Sequence, residues 1–382
     1  MSWERVKSLT TELPPKPSIR WWFLTGVLMA IAGILLFMIN ASGMMIGLTK
    51  LNIWLVSLAP SGIWFILLCL RGWLWDKKAK EHAFLKKEAE HAQKKWEAWS
   101  ERYLIISACS IVLPDRVTAE AILISSVDTL PCRGTLTRRL HDVNNPLTLA
   151  LASLQSTLCQ LPCDLPVKVT LVTDLSEPEL PELFASTWTT LFPQRDLPEN
   201  ITLTPSFSIG WAEERLKQPT LTVDLILVMQ LCGGDAYSDG LAALLLTSDD
   251  VSKKYRLPHP ARLLRPMPLN MDKFEDDFTL FLETQTAACR TAGVLGDSYS
   301  WETIAAPLMI IGIEHGVGWD PTARMLLEKW CGIPGPAAPW LLIALAADLV
   351  SLGKTSLLTL FSSGEERFIS TVTPGSENEH IG

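Results

Sequence analysis

The sequence predicts an α/β domain carried behind a two-helix transmembrane hairpin. Three observations lead there. Residues 21–49 carry no charge, Lys50 interrupts once, and residues 51–70 are again uncharged. Residues 76–103 are rich in Lys, Glu and Ala, with neither Gly nor Pro. Beyond residue 104, short apolar runs alternate with helix-forming stretches.

The hairpin comes first. A helix needs about 20 apolar residues to cross the hydrocarbon core of a bilayer. Two such runs are joined near Asn40–Ser42 to Asn52. Trp21 and Trp22 begin the first, and Trp73 and Trp75 end the second. Indoles favour the headgroup level, so these four anchor both ends on one side. A signal peptide has a shorter apolar core and no second span. A buried hairpin of a soluble protein seldom runs so long without charge. Pro60 is tolerable if Ser57 or Ser61 re-satisfies the freed carbonyl. Arg5, Lys7, Lys16 and Arg20 precede the first span. Arg71, Lys77, Lys78, Lys80, Lys86 and Lys87 follow the second, against only Lys50 between. Excess Lys and Arg stays cytoplasmic, so the expected topology is two-pass with both termini cytoplasmic and the lipid bilayer as a partner. Lacking charge in the spans beyond Lys50, the hairpin offers no transport pathway and reads as an anchor.

The formal net charge is −8, yet the segment beside the membrane is basic, so the acidic excess lies further along. That argues against nucleic acid as a partner. The eight cysteines form no CxxC pair and have no His at ligand spacing. They read as reduced, mostly buried thiols rather than disulfides or metal ligands. No cofactor is expected. Gly353-Lys354-Thr355 looks like the end of a phosphate loop, but Asp348 stands where the loop needs Gly. Ser238-Asp239-Gly240 lacks the flanks of a nucleophile elbow. Asp249-Asp250 and Glu275-Asp276-Asp277 read as solvated helix-end charges.

In chain order, residues 1–20, with Pro14, Pro15 and Pro17, read as a flexible cytosolic tail; the hairpin takes 21–75 and a charged helix 76–103. Leu85, Ala89, Ala92, Trp96, Trp99 and Tyr103 form a heptad seam. It either lies on the chain's own domain or joins copies into a homo-oligomer; two Ala positions make a weak zipper. The α/β domain takes 104–373. Strands are expected at 104–113, 167–172, 201–204, 221–229, 240–247, 294–297 and 356–361, with another possible at 260–265. Helices are expected at 145–161, 177–192, 212–217, 273–292, 322–330 and 335–352, with 301–315 helical or mixed and 120–128 ambiguous. Apolar strands alternating with helices predict a sheet covered on both faces. From Ser362 the hydrophobic pattern fades, and 374–382 reads as a disordered acidic tail. Trp188, Trp211, Trp301, Trp319, Trp330 and Trp340 are expected mostly in the core, any exposed subset making a protein-binding patch.

Three passages together resemble the thiolase-like fold of the ketoacyl synthases. They are TVDLILVMQLCGGDAYSDGLAALLLT (222–247), Glu314-His315-Gly316-Val317-Gly318, and GIPGPAAPWLLIALAADLVSLGKTSLLTL (332–360). The second is similar to the family's first catalytic His motif, which would make His315 that group. The family's nucleophilic Cys sits at a helix N-terminus in an acidic–Thr–Ala–Cys–Ser setting, and this chain has no such run; Cys132 is the nearest imitation. The place of the second catalytic His reads Gly332-Ile333-Pro334-Gly335. The resemblance therefore implies a thiolase-like pseudoenzyme. Its alternative is a membrane-associated acyl-transfer enzyme using Cys132 or Cys232 with His315. The plan of hairpin, charged helix and α/β domain also resembles accessory proteins of bacterial type VI secretion, the type VI lipase adaptors. That likeness implies an inner-membrane adaptor that loads an effector onto the secretion spike.

Overall fold

The computed structural model describes residues 3–5, 11–42, 52–124, 136–141, 143–176, 178–320 and 324–375. The chain divides into two compact units, Val6–Lys95 on one hand and Met1–Arg5 with Trp96–Gly382 on the other.

The smaller unit holds α1 (Ile19–Ala41) and most of α2 (Ile53–Ser100). Both are long and apolar enough to cross a membrane. Their apolar side chains, Phe23, Ile34, Leu55 and Ile66 among them, point outward rather than into a core. The two helices pack antiparallel. Trp64 Nε1 donates to Thr25 Oγ1 at 3.1 Å, and the Trp22 and Trp64 rings lie 6.4 Å apart. Gly33 lets the backbones meet, since a Cβ there would stand 2.4 Å from the Ser57 carbonyl. Trp75 Nε1 donates to the Pro14 carbonyl at 3.3 Å. The Ser57 hydroxyl serves the Trp54 carbonyl at 3.3 Å, not the Val56 carbonyl that Pro60 leaves free. The connection with Lys50 lies outside the described residues. No helix break separates hairpin from charged helix: with no Gly or Pro after Gly72, α2 continues to Ser100.

The larger unit contains β1 (Tyr103–Val112), α3 (Ala119–Ile124), α4 (Pro146–Ser153), α5 (Gln155–Gln160), β2 (Val167–Thr173), α6 (Leu180–Leu191), β3 (Ile201–Thr204), α7 (Gly210–Lys217), β4 (Val223–Gln230), β5 (Gly240–Ser248) and α8 (Asp249–Tyr255). It continues with β6 (Ala261–Leu264), β7 (Met267–Leu269), α9 (Phe274–Thr284), β8 (Gly293–Gly296), α10 (Ala305–Glu314), β9 (Arg324–Leu326), α11 (Leu327–Cys331), α12 (Ala338–Gly353), β10 (Leu357–Ser363) and β11 (Glu366–Pro374). The strands join in the order β3-β2-β4-β5-β1-β6-β11-β10-β8-β9, with β7 beside β11.

That order is one pattern written twice. In the first half β2 is parallel to β3 and β4, and β5 is antiparallel to both β4 and β1. In the second, β8 is parallel to β9 and β10, and β11 is antiparallel to both β10 and β6. The halves meet where β1 and β6 pair antiparallel. β4 and β5 are buried at every position, which is why neither alternates polar with apolar. α12 is buried from Ala338 to Ala347 and holds the core cluster on its side of the sheet. Phe184 and Trp188 hold a second cluster, and Phe278 and Trp319 a third. Trp188, Trp301, Trp319, Trp330 and Trp340 are all buried.

Several expectations fail locally. Residues 324–326 are not helical but form β9, because pairing with β8 satisfies their backbone. The helix expected over 273–292 ends at Thr284 and passes into a 3-10 turn, Thr286–Arg290. The chain does not fade after Ser362: β11 pairs with β10 from Val372 to Glu366. Its core positions include Ser370 and Thr371, whose polar letters hid a buried strand. Two residues of the expected tail at 374–382 are ordered instead: Pro374 closes β11, and Gly375 N–H bonds the Pro260 carbonyl at 2.9 Å. Residues 376–382 lie outside the described ones.

The first residues are not a loose tail either. Trp3 is buried against Trp99 at 5.1 Å and Phe281 at 5.8 Å. Arg5 Nη1 donates to Thr284 Oγ1 at 3.0 Å. An indole buries enough apolar surface to hold a chain end in place. The seam from Leu85 to Tyr103 is also broken by the fold. Trp96 and Trp99 pack edge to face at 5.3 Å, and the Arg265 guanidinium lies 4.2 Å over Trp99. Tyr103 has left the helix to open β1. Ser100 Oγ donates to the Thr284 carbonyl at 2.8 Å, and Glu101 Oε1 accepts from Ala287 N–H at 2.9 Å. These bonds stop α2 and turn the chain into the sheet.

Candidate functional site

Open α/β sheets place ligands at the carboxyl ends of parallel strands, where the strand order reverses. This domain has two such points, one per half: β2 beside β4, and β8 beside β10. Each is tied by an aspartate, Asp174 after β2 and Asp297 after its counterpart β8. Asp174 accepts from the N–H groups of Leu231 (2.9 Å) and Cys232 (2.8 Å), just past β4. Asp297 accepts from Ser362 N–H at 2.5 Å, in the equivalent place at the end of β10.

The two points differ in closure. Asp297 is buried; Trp301 Nε1 donates to it at 2.8 Å and Ser362 Oγ at 3.0 Å. Burial is the main reason its carboxyl sits above the usual range, against those donors. Asp174 is only half-buried, and its third donor is the Tyr237 hydroxyl at 3.1 Å. Burial first, then the Asp174 charge, raises the Tyr237 phenol and keeps its proton on. The site open to solvent is therefore the first-half one, with Cys232 exposed at its rim.

The sequence places these groups for local reasons. Gly233 admits Tyr237, whose ring a Cβ would meet at 2.3 Å, and Gly234 takes a positive φ of 52°. Gln230, buried at the end of β4, donates to the Ser238 carbonyl at 2.7 Å and accepts from Ala337 N–H at 3.1 Å. Ser238 N–H bonds the Ile333 carbonyl at 2.8 Å. Arg139 pairs with Asp239 at 2.5 Å. Gly332 has φ 82° and lies against the Leu136 carbonyl, while a Cβ on Gly335 would stand 2.3 Å from Gln230 Oε1. The passages 222–247 and 332–360 thus meet at this site. The glycines of the second serve close packing, where the resemblance would place a reacting His.

His315 makes none of these bonds. It caps α10, and its Nδ1 lies 2.9 Å from the Ile311 carbonyl. Cys132 lies outside the described residues. No described α-helix carries a cysteine in its first turn. A thiol must ionise to attack, and burial opposes that. Cys331 is pushed up to about 12 by burial, then by Glu328. Burial raises Cys109 well above its ordinary range, and the Asp348 charge adds to it. Cys289 is raised too, by burial. Among the described residues no cluster could hold a metal ion. Asp249 is not a solvated end charge: it is buried and takes Arg102 Nη2 at 2.9 Å. Asp174, Tyr237 and Gln230 escaped the sequence reading as site residues. The one available signal was an Asp directly after two apolar strands, LVTD and VLGD.

Asp348 is the one acid of α12, half-buried, and Cys109 Sγ donates to it at 3.0 Å. Burial raises its carboxyl above the ordinary 3.8, against the thiol. The folded state then keeps this proton to higher pH than the unfolded chain, so stability falls as pH rises from 3.8 through the raised value. Asp348→Asn is expected to be about 1–2 kcal/mol more stable than wild type near neutrality and equal to it in acid. Urea midpoints of both proteins across pH would read this, and a pH-independent difference would contradict it.

Solved structures resemble this fold. A type II polyketide ketosynthase bound to its acyl-carrier protein (AntDE:AntF) aligns with TM-score 0.50 and 11% identity, over 72% of this chain and 100% of that one. The fold is thiolase-like. The acyltransferase ChlB3 aligns with TM-score 0.44 and 14% identity over 71% of this chain and 98% of that one. An OleA of Xanthomonas campestris does so with TM-score 0.44 and 12% identity over 72% and 99%. No family model matches the sequence, and no curated protein does. At 11% identity the first of these likenesses speaks for the thiolase-like fold and not for an activity.

Proposed function

We propose that the protein is a membrane-anchored, non-catalytic thiolase-like scaffold whose domain holds a protein partner at the cytoplasmic face. The observation that carries this reading is the state of the thiols. The described core cysteines are held protonated, and no described α-helix presents a cysteine at its start. Support for a two-pass anchor comes from Trp3. It packs on Trp99 within one unit, so the chain before the hairpin and the chain after it share a compartment. An even number of crossings satisfies that, and the basic flanks put the compartment in the cytoplasm. In its finer form, the protein is a bacterial inner-membrane adaptor that passes an effector to the type VI spike. That form rests on the resemblance of the overall plan.

The second reading, acyl transfer near lipid, is favoured by one feature: Cys232 is exposed at the open strand-order reversal, where a thioester could reach it. One preparation tests both readings. The full chain is recovered from gently solubilised membranes, its co-purifying proteins are identified, and it is then incubated with an acyl-thioester and weighed. The scaffold reading expects an effector or spike component in constant proportion and no acyl adduct. Recovery of the chain alone counts against it. An adduct that disappears in Cys232→Ala or Cys132→Ala replaces it with the enzyme reading.

A further inference from the structure

We propose that the hairpin carries a cationic collar that selectively binds anionic phospholipid headgroups. This rests on the reading that α1 and α2 span a bilayer. The collar is made by tertiary packing from two stretches some fifty residues apart in sequence. Two cross-links fix the register of the hairpin: Trp64 with Thr25, and Trp75 with Pro14. Arg71 lies between Trp64 and Trp75 on α2, and Arg20 and Lys16 lie between Pro14 and Thr25. All three therefore come to the same level. Lys77 and Lys78 stand within one helical turn beyond Trp75, a rise of about 1.5 Å per residue. All five are exposed.

Charge bookkeeping separates these five from their neighbours. Lys80 is held by Asp76 at 2.6 Å. Lys16, Arg20, Arg71, Lys77 and Lys78 have no carboxylate partner among the described residues. The other acids at this level are Glu12 and Glu81, so the balance stays positive. Trp21, Trp22, Trp73 and Trp75 mark the same end of the hairpin, where indoles meet headgroups. Phosphate oxygens at that depth would face Arg and Lys side chains, and the outward apolar faces of both helices would take the acyl chains. A zwitterionic lipid offers the same phosphate but brings its own cation, which five unpaired cations disfavour. A basic group at an anionic surface strengthens association by about fivefold.

The test uses the full chain in detergent with equimolar phosphatidylglycerol and phosphatidylcholine, reading the retained lipid by native mass spectrometry. The wild type is expected to retain phosphatidylglycerol by tenfold or more. The variant Lys16→Gln, Arg20→Gln, Arg71→Gln, Lys77→Gln, Lys78→Gln is expected to retain the two lipids about equally. Excess inorganic phosphate should leave the bound lipid in place. Equal retention by the wild type, an undiminished preference in the variant, or stripping by phosphate each overturns the collar. Extraction of membranes with alkaline carbonate separates this from the underlying reading: both proteins should stay in the pellet, and release of the wild type would overturn the span itself.

Discussion

Trp340→Ala should cost the domain about 3–5 kcal/mol, the range for removing a fully buried aromatic. Trp340 sits in the first turns of α12, fully enclosed. Its ring stacks on Phe207 at 5.1 Å and meets Trp211 at 5.9 Å, and its Nε1 donates to the Phe207 carbonyl at 2.6 Å. Phe207 and Trp211 belong to the first half of the domain and α12 to the second, so this one side chain joins the halves. Trp340→Phe keeps most of the stack and loses the N–H, which should cost about 1 kcal/mol beyond the lost volume. Denaturant unfolding followed by near-ultraviolet circular dichroism would measure both. An Ala variant within 1 kcal/mol of wild type, roughly the mean for any substitution, would mean that the halves do not depend on this contact.

Arg215→Ala is the second large effect, expected at about 3–5 kcal/mol because it strands a buried charge. Arg215 Nε donates to Asp224 Oδ2 at 2.7 Å, and both side chains are nearly sealed. Its Nη2 also donates to the carbonyls of Thr220 (3.2 Å) and Thr222 (3.1 Å). Burial already lifts the Asp224 carboxyl, with Arg215 pulling the other way. Without Arg215 the carboxyl must rise further, so the loss should be greater at pH 7 than at pH 4. Pairing Arg215→Met with Asp224→Leu should recover part of the stability. The recovery stays partial, because the Thr220 carbonyl loses its Arg215 donor and the Thr222 carbonyl keeps only Thr247 Oγ1 at 3.3 Å. Unfolding midpoints of the singles and the double at both pH values would decide it. A loss that does not depend on pH would show that the exposed carbonyls, not Asp224, dominate.

The fold class was legible because its signals are local and strong. Uncharged runs of spanning length need no tertiary context, and neither do apolar strands such as LTVDLILVM and GLAALLLT. The positions of β2, β3, β4, β5 and β10 follow those letters closely. β9 and β11 were not legible. Three residues carry no period, and β11 buries Thr371 beside Ser370, whose hydroxyl goes to the sheet rather than to water. Thr359 Oγ1 bonds the Ser370 carbonyl at 2.9 Å, and Ser370 Oγ bonds that of Leu264 at 2.7 Å.

The candidate site divides the same way. Sequence alone picked out 222–247 and 332–360, and the fold brings these together through Gln230, Ser238 and Ala337. It also picked out His315, which the fold spends on capping α10. Asp174 looked like an ordinary strand end. Only pairing of β2 with β4 aims its carboxylate at Leu231 and Cys232, fifty-odd residues on.

By itself, then, the sequence determined an uncharged hairpin with basic flanks and an α/β domain behind it, because charge and apolar period act over a few residues. The tertiary structure alone decided that the domain is one strand order written twice, that Trp3 returns to Trp99, and that Lys16 and Arg20 come level with Arg71. Those facts depend on which distant segments pair, and pairing is set by the summed burial of the whole sheet and hairpin rather than by any window of letters.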